Sequence, residues 1–250
     1  QGQAPATYRF VAHNTAGELR FSDTGPDFLI YGCTDRAIIR LRPIAVVAAT
    51  RAEGKLPLQA KTNYLIGRDA SRWIRNVSTF REVGYSGIYP GVDLFFYGRK
   101  DHLEHDFILS PHADPSSIRF TLSGAERLEL NRSGDLVVSA AGEKVILQKP
   151  TAYQEIGGKK IEIESAFRLD RSQPASNPVV SFQLGHYDSE RQLIIDPVFS
   201  FSTYLTGTGM DRVTAVTTYA NGDIYLTGST SSSDFPTQTS EQSQWGCDPS

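Results

Sequence analysis

The 250-residue sequence predicts an all-β protein, in which a large antiparallel β-sandwich-like domain precedes one unit of the size of a β-propeller blade. Apolar residues recur with period two in Tyr8–Val11, Asp27–Tyr31 and Ala37–Leu41, which is the pattern of strands with one buried face. Turn-forming residues separate such runs at short intervals, and no segment carries a long amphipathic helical stripe. We therefore expect antiparallel strands joined by short turns.

Turns in the first part of the chain are predicted where Gly, Asn, Asp and Pro cluster, at Asn14–Gly17, Asp23–Pro26 and Ala52–Gly54. Two short helical turns are predicted at Asp69–Trp73 and Asp114–Ile118, since each begins with an Asp placed as an N-cap. The second also has a proline at its first helical position.

The strand pattern continues from Val83 to Pro197. The predicted strands are Val92–Tyr97, Leu103–Leu109, Ile118–Leu122, Leu128–Leu130, Leu136–Ser139, Lys160–Leu169, Val179–Leu184 and Leu193–Ile195. Glycines predict hairpin turns at Asn131–Asp135 and Ile156–Lys159, because tight hairpins need positive φ angles.

After Pro197 the chain becomes rich in glycine and small hydroxylated residues. Asn221-Gly222 between two alternating runs is a strong signal for a hairpin. We expect one domain at 1–197. An alternative is that this domain consists of two lobes, at about 1–60 and 61–197. A blade-like unit at 198–237 and a mobile tail at 238–250 complete the expected organisation. One blade cannot bury both of its own faces, so this unit is expected to pack on the first domain, a partner or further repeats.

Several motifs resemble those of bacterial SBBP-type β-propeller repeat proteins, in which a β-rich N-terminal domain of unknown function precedes the repeats. In the repeat unit they are Thr203–Leu205 with Gly207 and Gly209, Asn221–Gly228 and Ser229–Pro236. In the preceding domain they are Asn63–Gly67, Tyr89–Leu94, Tyr97-Gly98, Leu103-Glu104, Asp106-Phe107, Ala113–Pro115 and Leu193–Pro197. The resemblance implies an exported protein with further propeller repeats as partners. His105 departs from this pattern, because an aromatic residue is usual there.

Composition narrows the classes of function. The 25 basic and 28 acidic residues give a net charge of −3, which disfavours a nucleic-acid-binding surface. No apolar run approaches the roughly 20 residues of a membrane span, since the longest, Pro43–Ala49, has the length of a strand. Met210 is the only methionine, so either a leader has been removed or the sequence is an excised piece of a longer protein. Gln1–Ala6 is typical of a mature end after signal-peptide removal, which is the favoured alternative. We expect a secreted, periplasmic or cell-surface protein.

Cys33 and Cys247 are the only cysteines, too few for a disulfide framework or a thiolate metal site. Two alternatives stay open. The residues either form one disulfide that closes nearly the whole chain or remain as two thiols.

The densest polar cluster is Asp101–Asp106, on a predicted strand. Alternation places Glu104 and Asp106 on one face and His105 on the other, so the histidines of this segment are not expected to share a metal. Asp93 and Tyr97, across a predicted hairpin, are expected to join the two carboxylates in a binding patch for a sugar or peptide. The alternatives are a solvated or ion-paired sheet face, and an Asp93 that only satisfies turn amides.

No nucleophile elbow or phosphate-binding glycine loop occurs in the sequence, and we expect no catalytic residue, metal or cofactor. The favoured hypothesis is a non-catalytic extracellular or cell-surface module that binds a protein or glycan. Two alternatives remain: a carbohydrate-active enzyme that uses Glu104 and Asp106, whose strand spacing suits inverting glycosidases, and a folding cap or spacer for a repeat array.

Overall fold

The structure is a computed structural model that describes residues 7–14, 17–31, 36–45, 50–65, 69–99, 102–171, 178–197, 199–202, 209–218, 224–233 and 235. Strands dominate these residues, all strand pairs are antiparallel, and the helical segments among them are two short 3-10 turns. None of the described helical segments has the length and apolar character needed to cross a membrane. The predicted all-β, antiparallel fold class is therefore confirmed.

The first sheet has seven strands in the order β1-β2-β3-β4-β9-β16-β15. Their bounds are β1 Tyr8–Asn14, β2 Gly17–Ser22, β3 Gly25–Tyr31, β4 Arg36–Pro43, β9 Arg119–Ser123, β16 Val179–Leu184 and β15 Ser165–Asp170. The N-terminal meander β1–β4 is therefore extended in the same sheet by strands from much later in the chain.

The second sheet also has seven strands, in the order β14-β13-β17-β8-β7-β6-β5. Their bounds are β5 Ala52–Tyr64, β6 Ile74–Tyr89, β7 Val92–Arg99, β8 His102–Leu109, β13 Thr151–Ile156, β14 Lys159–Ile163 and β17 Leu193–Asp196. The pairing of β6 with β7 runs over Glu82–Tyr89 only. Residues 57–64 of β5 and 74–81 of β6 therefore extend past β7 as a two-stranded segment, which we call the β5–β6 ribbon.

A third sheet has four strands in the order β10-β11-β12-β18, at Arg127–Leu130, Leu136–Ala140, Glu143–Leu147 and Phe199–Ser202. A separate hairpin pairs β19 (Asp211–Thr218) with β20 (Ile224–Thr230). Backbone contacts divide the chain into two compact units, Gln1–Ser202 and Thr203–Ser250, so that the first three sheets form one unit and the hairpin lies in the other.

The core of the first unit lies between the first two sheets. Phe21 of β2 meets Phe96 of β7 with ring centroids 5.3 Å apart, and Phe107 of β8 meets Phe182 of β16 at 5.4 Å. The third sheet adds Leu128, Leu136 and other apolar residues to the same cluster. Two facing sheets with interlocking aromatic rings form the sandwich-like arrangement that the alternating sequence predicts.

Both predicted helical turns are present. Ala70–Arg72 and Pro115–Ser117 form 3-10 turns, and the carboxylates of Asp69 and Asp114 accept hydrogen bonds from the backbone amides of Ser71 and Ser116. The hairpins predicted at 131–135 and 156–159 also occur, since β10 pairs with β11 and Ile156 pairs with Lys159.

The predicted turn at Ala52–Gly54 is wrong, because these residues begin β5 and pair with Gly84 and its neighbours on β6. Gly54 has a packing role there. A Cβ atom at this position would lie 2.5 Å from Cγ of Phe80, so the glycine allows that ring to pack over the strand backbone.

The predicted single strand Lys160–Leu169 is also wrong. Its first half belongs to β14 in the second sheet and its second half to β15 in the first, and the chain passes between the two sheets at Glu164. The backbone carbonyl of Glu164 is hydrogen-bonded at this crossing, since the amide of Gly185 donates to it at 2.7 Å. The hydroxyl of buried Ser165 donates to the Pro150 carbonyl at 2.5 Å.

Some predictions fall outside the described residues. They are the pairing or separation of Cys33 and Cys247, the Asn221-Gly222 turn and the tail at 238–250.

Candidate functional site

Three of the four predicted binding residues lie together on the face of the second sheet that points away from the core. β7 and β8 are neighbours, with Tyr97 paired to Glu104 and Phe95 paired to Asp106. The Tyr97 hydroxyl donates a hydrogen bond of 3.1 Å to Oδ2 of Asp106. We call Tyr97, Glu104, Asp106 and Asp196 of the adjacent β17 the acidic cluster.

The carboxyl group of Asp106 is electrostatically unusual. Burial raises its pKa, and the negative charges of Asp196 and Glu104 raise it further, against the hydrogen bond from Tyr97 and the charge of Lys160, to about 7. Burial also raises the pKa of the Tyr97 hydroxyl, as does the neighbouring Asp106 carboxylate. Near neutral pH the cluster can therefore exchange a proton at Asp106 while Tyr97 remains a neutral hydrogen-bond donor.

Asp93 is not part of the acidic cluster. It lies four residues from Tyr97 on β7, roughly 13 Å along the strand. Its carboxylate accepts a hydrogen bond of 2.7 Å from the amide of Gly87, where the pairing of β6 and β7 is interrupted. Asp93 therefore bonds a backbone amide near a turn, which is the alternative that the sequence left open for it.

His105 points to the opposite face, as strand alternation predicts. It is fully buried, its ring stacks on Phe96 with centroids 5.1 Å apart, and it meets Phe107 edge to face at 5.9 Å. Burial lowers the pKa of its imidazole to about 3. His105 therefore packs as a neutral aromatic ring.

Among the described residues, no group of three or more His, Cys, Asp or Glu side chains could hold a metal ion.

A cleft of about 350 Å³ lies where β1 of the first sheet meets the β5–β6 ribbon of the second. Its apolar lining includes Phe10, Phe21, Phe80 and Phe96. Its polar lining includes six hydroxyl-bearing residues and two arginines: Tyr8, Thr62, Tyr64, Ser78, Thr79, Tyr97, Arg9 and Arg81. This combination of an apolar wall and a few polar groups is typical of ligand pockets.

Several polar groups of the cleft are held in place by neighbours outside it. The Tyr8 hydroxyl donates to Asp27 at 2.7 Å, and Arg9 forms an ion pair of 2.8 Å with Asp23. The Thr79 hydroxyl donates to the Ala60 carbonyl at 2.7 Å. These contacts fix part of the polar wall before any ligand is bound.

Of the predicted residues, only Tyr97 lines this cleft; Asp93, Glu104 and Asp106 do not. Sequence reasoning missed the cleft because its walls come from β1, β2, β5, β6 and β7. Strand periodicity does not reveal which strands face each other across a sandwich. The one available signal was the closeness of hydroxylated and aromatic residues at Ser78–Phe80, together with Tyr64.

Comparison with known proteins identifies the family of this fold. No curated protein matches the chain. Residues 1–198, which include β1–β17 with both the cleft and the acidic cluster, match the family described as a domain of unknown function, DUF7948. The chain therefore belongs to the DUF7948 family.

Proposed function

We propose that the chain is a non-catalytic binding module of an exported or cell-surface protein, and that the cleft between β1 and the β5–β6 ribbon holds its ligand, a protein or a glycan. The cleft is the observation that carries this proposal. It combines aromatic walls with hydroxyl and guanidinium groups, several of them already oriented by hydrogen bonds. Such preorganisation lowers the entropic cost of binding.

The lining of the cleft favours binding over catalysis. Among the residues that the structure describes, no Asp, Glu, His or Cys side chain lines it. General acid-base and nucleophilic mechanisms depend mainly on these side chains, because they offer a proton or an electron pair near neutral pH.

The binding proposal is tested with the purified chain on a glycan array and in pull-down experiments from an extracellular extract. Tyr64→Ala, which removes a ring and a hydroxyl from the cleft, is expected to reduce any specific binding at least tenfold. Leu58→Ala is the matched control, because Leu58 is a neighbouring β5 residue that does not line the cleft. Absence of any ligand, together with turnover of a substrate by the same preparation, would overturn the proposal.

A carbohydrate-active enzyme is the second candidate, favoured by one observation at the acidic cluster. The pKa of the Asp106 carboxyl is raised to about 7, as a general acid requires at neutral pH, and Glu104 lies two residues away on the same strand face. If this candidate is right, Glu104→Gln and Asp106→Asn each abolish a glycosidase activity of the chain. An activity that survives both changes excludes it.

A cap or spacer for SBBP-type repeats is the third candidate, and it concerns the hairpin β19–β20. Val216 and Leu226 are paired across this hairpin and are 63% and 44% exposed. Paired apolar side chains at the surface favour further packing, and the resemblance to propeller repeats suggests the next repeat as the partner. A longer polypeptide that includes the following repeats is then expected to melt at a higher temperature, whereas equal melting temperatures would count against this role.

A further inference from the structure

The charged residues among the described lining of the cleft are basic. They are Arg9 and Arg81, with no carboxylate among the described lining residues. Arg9 is neutralised by its ion pair with Asp23, whereas Arg81 forms no ion pair with any residue that the structure describes. Lys61 places a second cation at the edge, because its ammonium group donates to the hydroxyl of Ser78, a lining residue, at 3.1 Å. Arg81 and Lys61 therefore offer positive charge to a ligand in the cleft.

The hydroxyl groups of the cleft suit a ligand that itself carries hydroxyls. Each can donate and accept a hydrogen bond, as sugar hydroxyls do. In the described part of the chain, the side chains of Thr62 and Tyr64 make no hydrogen bond, so their hydroxyls are available. Tyr8 and Tyr97 each donate to a carboxylate and keep their oxygen lone pairs for a ligand donor.

The apolar part of the cleft suits the C–H face of a sugar ring. Phe10 and Phe80 meet edge to face with centroids 5.5 Å apart, and both line the cleft. The face of an aromatic ring carries partial negative charge, which attracts weakly positive C–H groups. An apolar wall beside hydroxyl groups therefore matches the two sides of a pyranose.

We propose that the cleft binds a short stretch of an acidic glycan, in which a sugar carboxylate pairs with the guanidinium of Arg81. This inference rests on the proposed function and names the ligand class of the same site. The positive charges of Arg81 and Lys61 can pair with one or two sugar carboxylates. A nucleic-acid strand would need a track of several cations along its phosphates, and the described lining of the cleft contains two cationic side chains, Arg9 and Arg81.

The test compares tetragalacturonic acid with its fully methyl-esterified form by isothermal titration calorimetry at low salt. The two probes share the sugar chain and differ in charge. The wild-type chain is expected to bind the acid at least tenfold more tightly than the ester, because hydrogen bonds to a charged group are stronger than neutral ones. Arg81→Gln is expected to remove this preference. The control is Arg75→Gln, an arginine of the same strand that stacks over Trp73 at 5.1 Å and does not line the cleft, and it is expected to keep the preference.

Equal affinity of the wild-type chain for acid and ester would overturn the acidic-glycan assignment, and so would an unchanged preference in Arg81→Gln. Binding of a ten-residue oligothymidine more tightly than the glycan would overturn it in favour of nucleic acid. Failure of both sugar probes, while another ligand is captured and lost in Tyr64→Ala, would refute the acidic glycan and leave the binding module standing. Circular dichroism of each variant confirms that a lost preference does not come from unfolding.

Discussion

The rings of Phe10 and Phe80 meet edge to face with their centroids 5.5 Å apart, and this contact joins β1 of the first sheet to β6 of the second. Both rings are partly buried and both line the cleft. The same pair therefore holds the ribbon against the sandwich and forms the apolar wall of the proposed binding site.

Phe80→Ala is expected to lower the free energy of unfolding by about 2–3 kcal/mol, somewhat less than for a fully buried phenylalanine, because the ring is only partly buried. Urea unfolding followed by tryptophan fluorescence measures the change. Leu58→Ala, at an exposed position of the ribbon, is expected to change the stability by less than about 1 kcal/mol. Equal losses in the two variants would show that the Phe10–Phe80 contact contributes nothing beyond general ribbon packing.

Gly84→Ala is expected to destabilise the second sheet by about 2–3 kcal/mol. A Cβ atom at Gly84 would lie 2.1 Å from the carbonyl oxygen of Leu94, so the backbones of β6 and β7 would have to separate. Gly98→Ala is the matched control, because nothing lies within 4 Å of a Cβ atom there. Thermal unfolding of the two variants should differ clearly, and similar melting temperatures would contradict the close approach of the two strands.

Much of this architecture follows from local patterns. β8 and β16 were predictable because each alternates apolar and polar residues, and the turns capped by Asp69 and Asp114 follow from the preference of aspartate for N-caps. Sheet membership was not predictable from such patterns. Lys160–Leu169 looks like one strand, yet the chain changes sheets at Glu164, because strand order depends on contacts between residues far apart in sequence.

Asp106→Asn is expected to change the pH dependence of stability. The pKa of Asp106 is about 7 in the folded chain and about 3.9 when unfolded, so between these values the folded state binds more protons. The contribution of this group to stability therefore falls as pH rises from about 4 to 7, by at most about 1.4 kcal/mol per pH unit. Asparagine does not titrate, so the variant should gain stability relative to wild type over this window.

Urea unfolding of wild type and Asp106→Asn at pH 4.5 and pH 7.5 checks this expectation. Glu155→Gln, an exposed position on β13 of the same sheet, is the control and should show no comparable gain. A stability difference between Asp106→Asn and wild type that does not change with pH would contradict the raised pKa.

His105→Phe is expected to reduce sensitivity to acid. The pKa of His105 is about 3 in the folded chain and about 6.5 when unfolded, so between these values the unfolded state binds more protons. The wild-type chain therefore loses stability from this group as pH falls below about 6.5, by at most about 1.4 kcal/mol per pH unit. Phenylalanine keeps the stacking on Phe96 and carries no proton.

The His105 and Asp106 contributions have opposite signs between about pH 4 and 6.5, so the wild-type pH profile partly conceals both. Measuring the two single variants and the double variant over this range separates them. A His105→Phe variant that loses stability in acid as steeply as wild type would show that the imidazole is not buried in its neutral form.

The candidate site was predictable only in part, for the same physical reason as the fold. Alternation along β8 and pairing with β7 bring together Tyr97, Glu104 and Asp106, and local patterns suffice for that. Asp93 follows the alternative of bonding turn amides, because its carboxylate accepts the Gly87 amide where the pairing of β6 and β7 is interrupted. The cleft and the place of Arg81 in it could not be predicted from local sequence patterns, since its walls meet only when the two sheets pack together.

The most direct test of the cleft as the binding site is amide hydrogen exchange of the purified chain with and without tetragalacturonic acid. We predict slower exchange confined to β1, to residues 62–64 and 77–81 of the ribbon and to residues 96–98 of β7, where most of the cleft-lining residues lie. Slower exchange around Glu104, Asp106 and Asp196 instead, with none at the ribbon, would contradict this account and place the ligand on the acidic cluster.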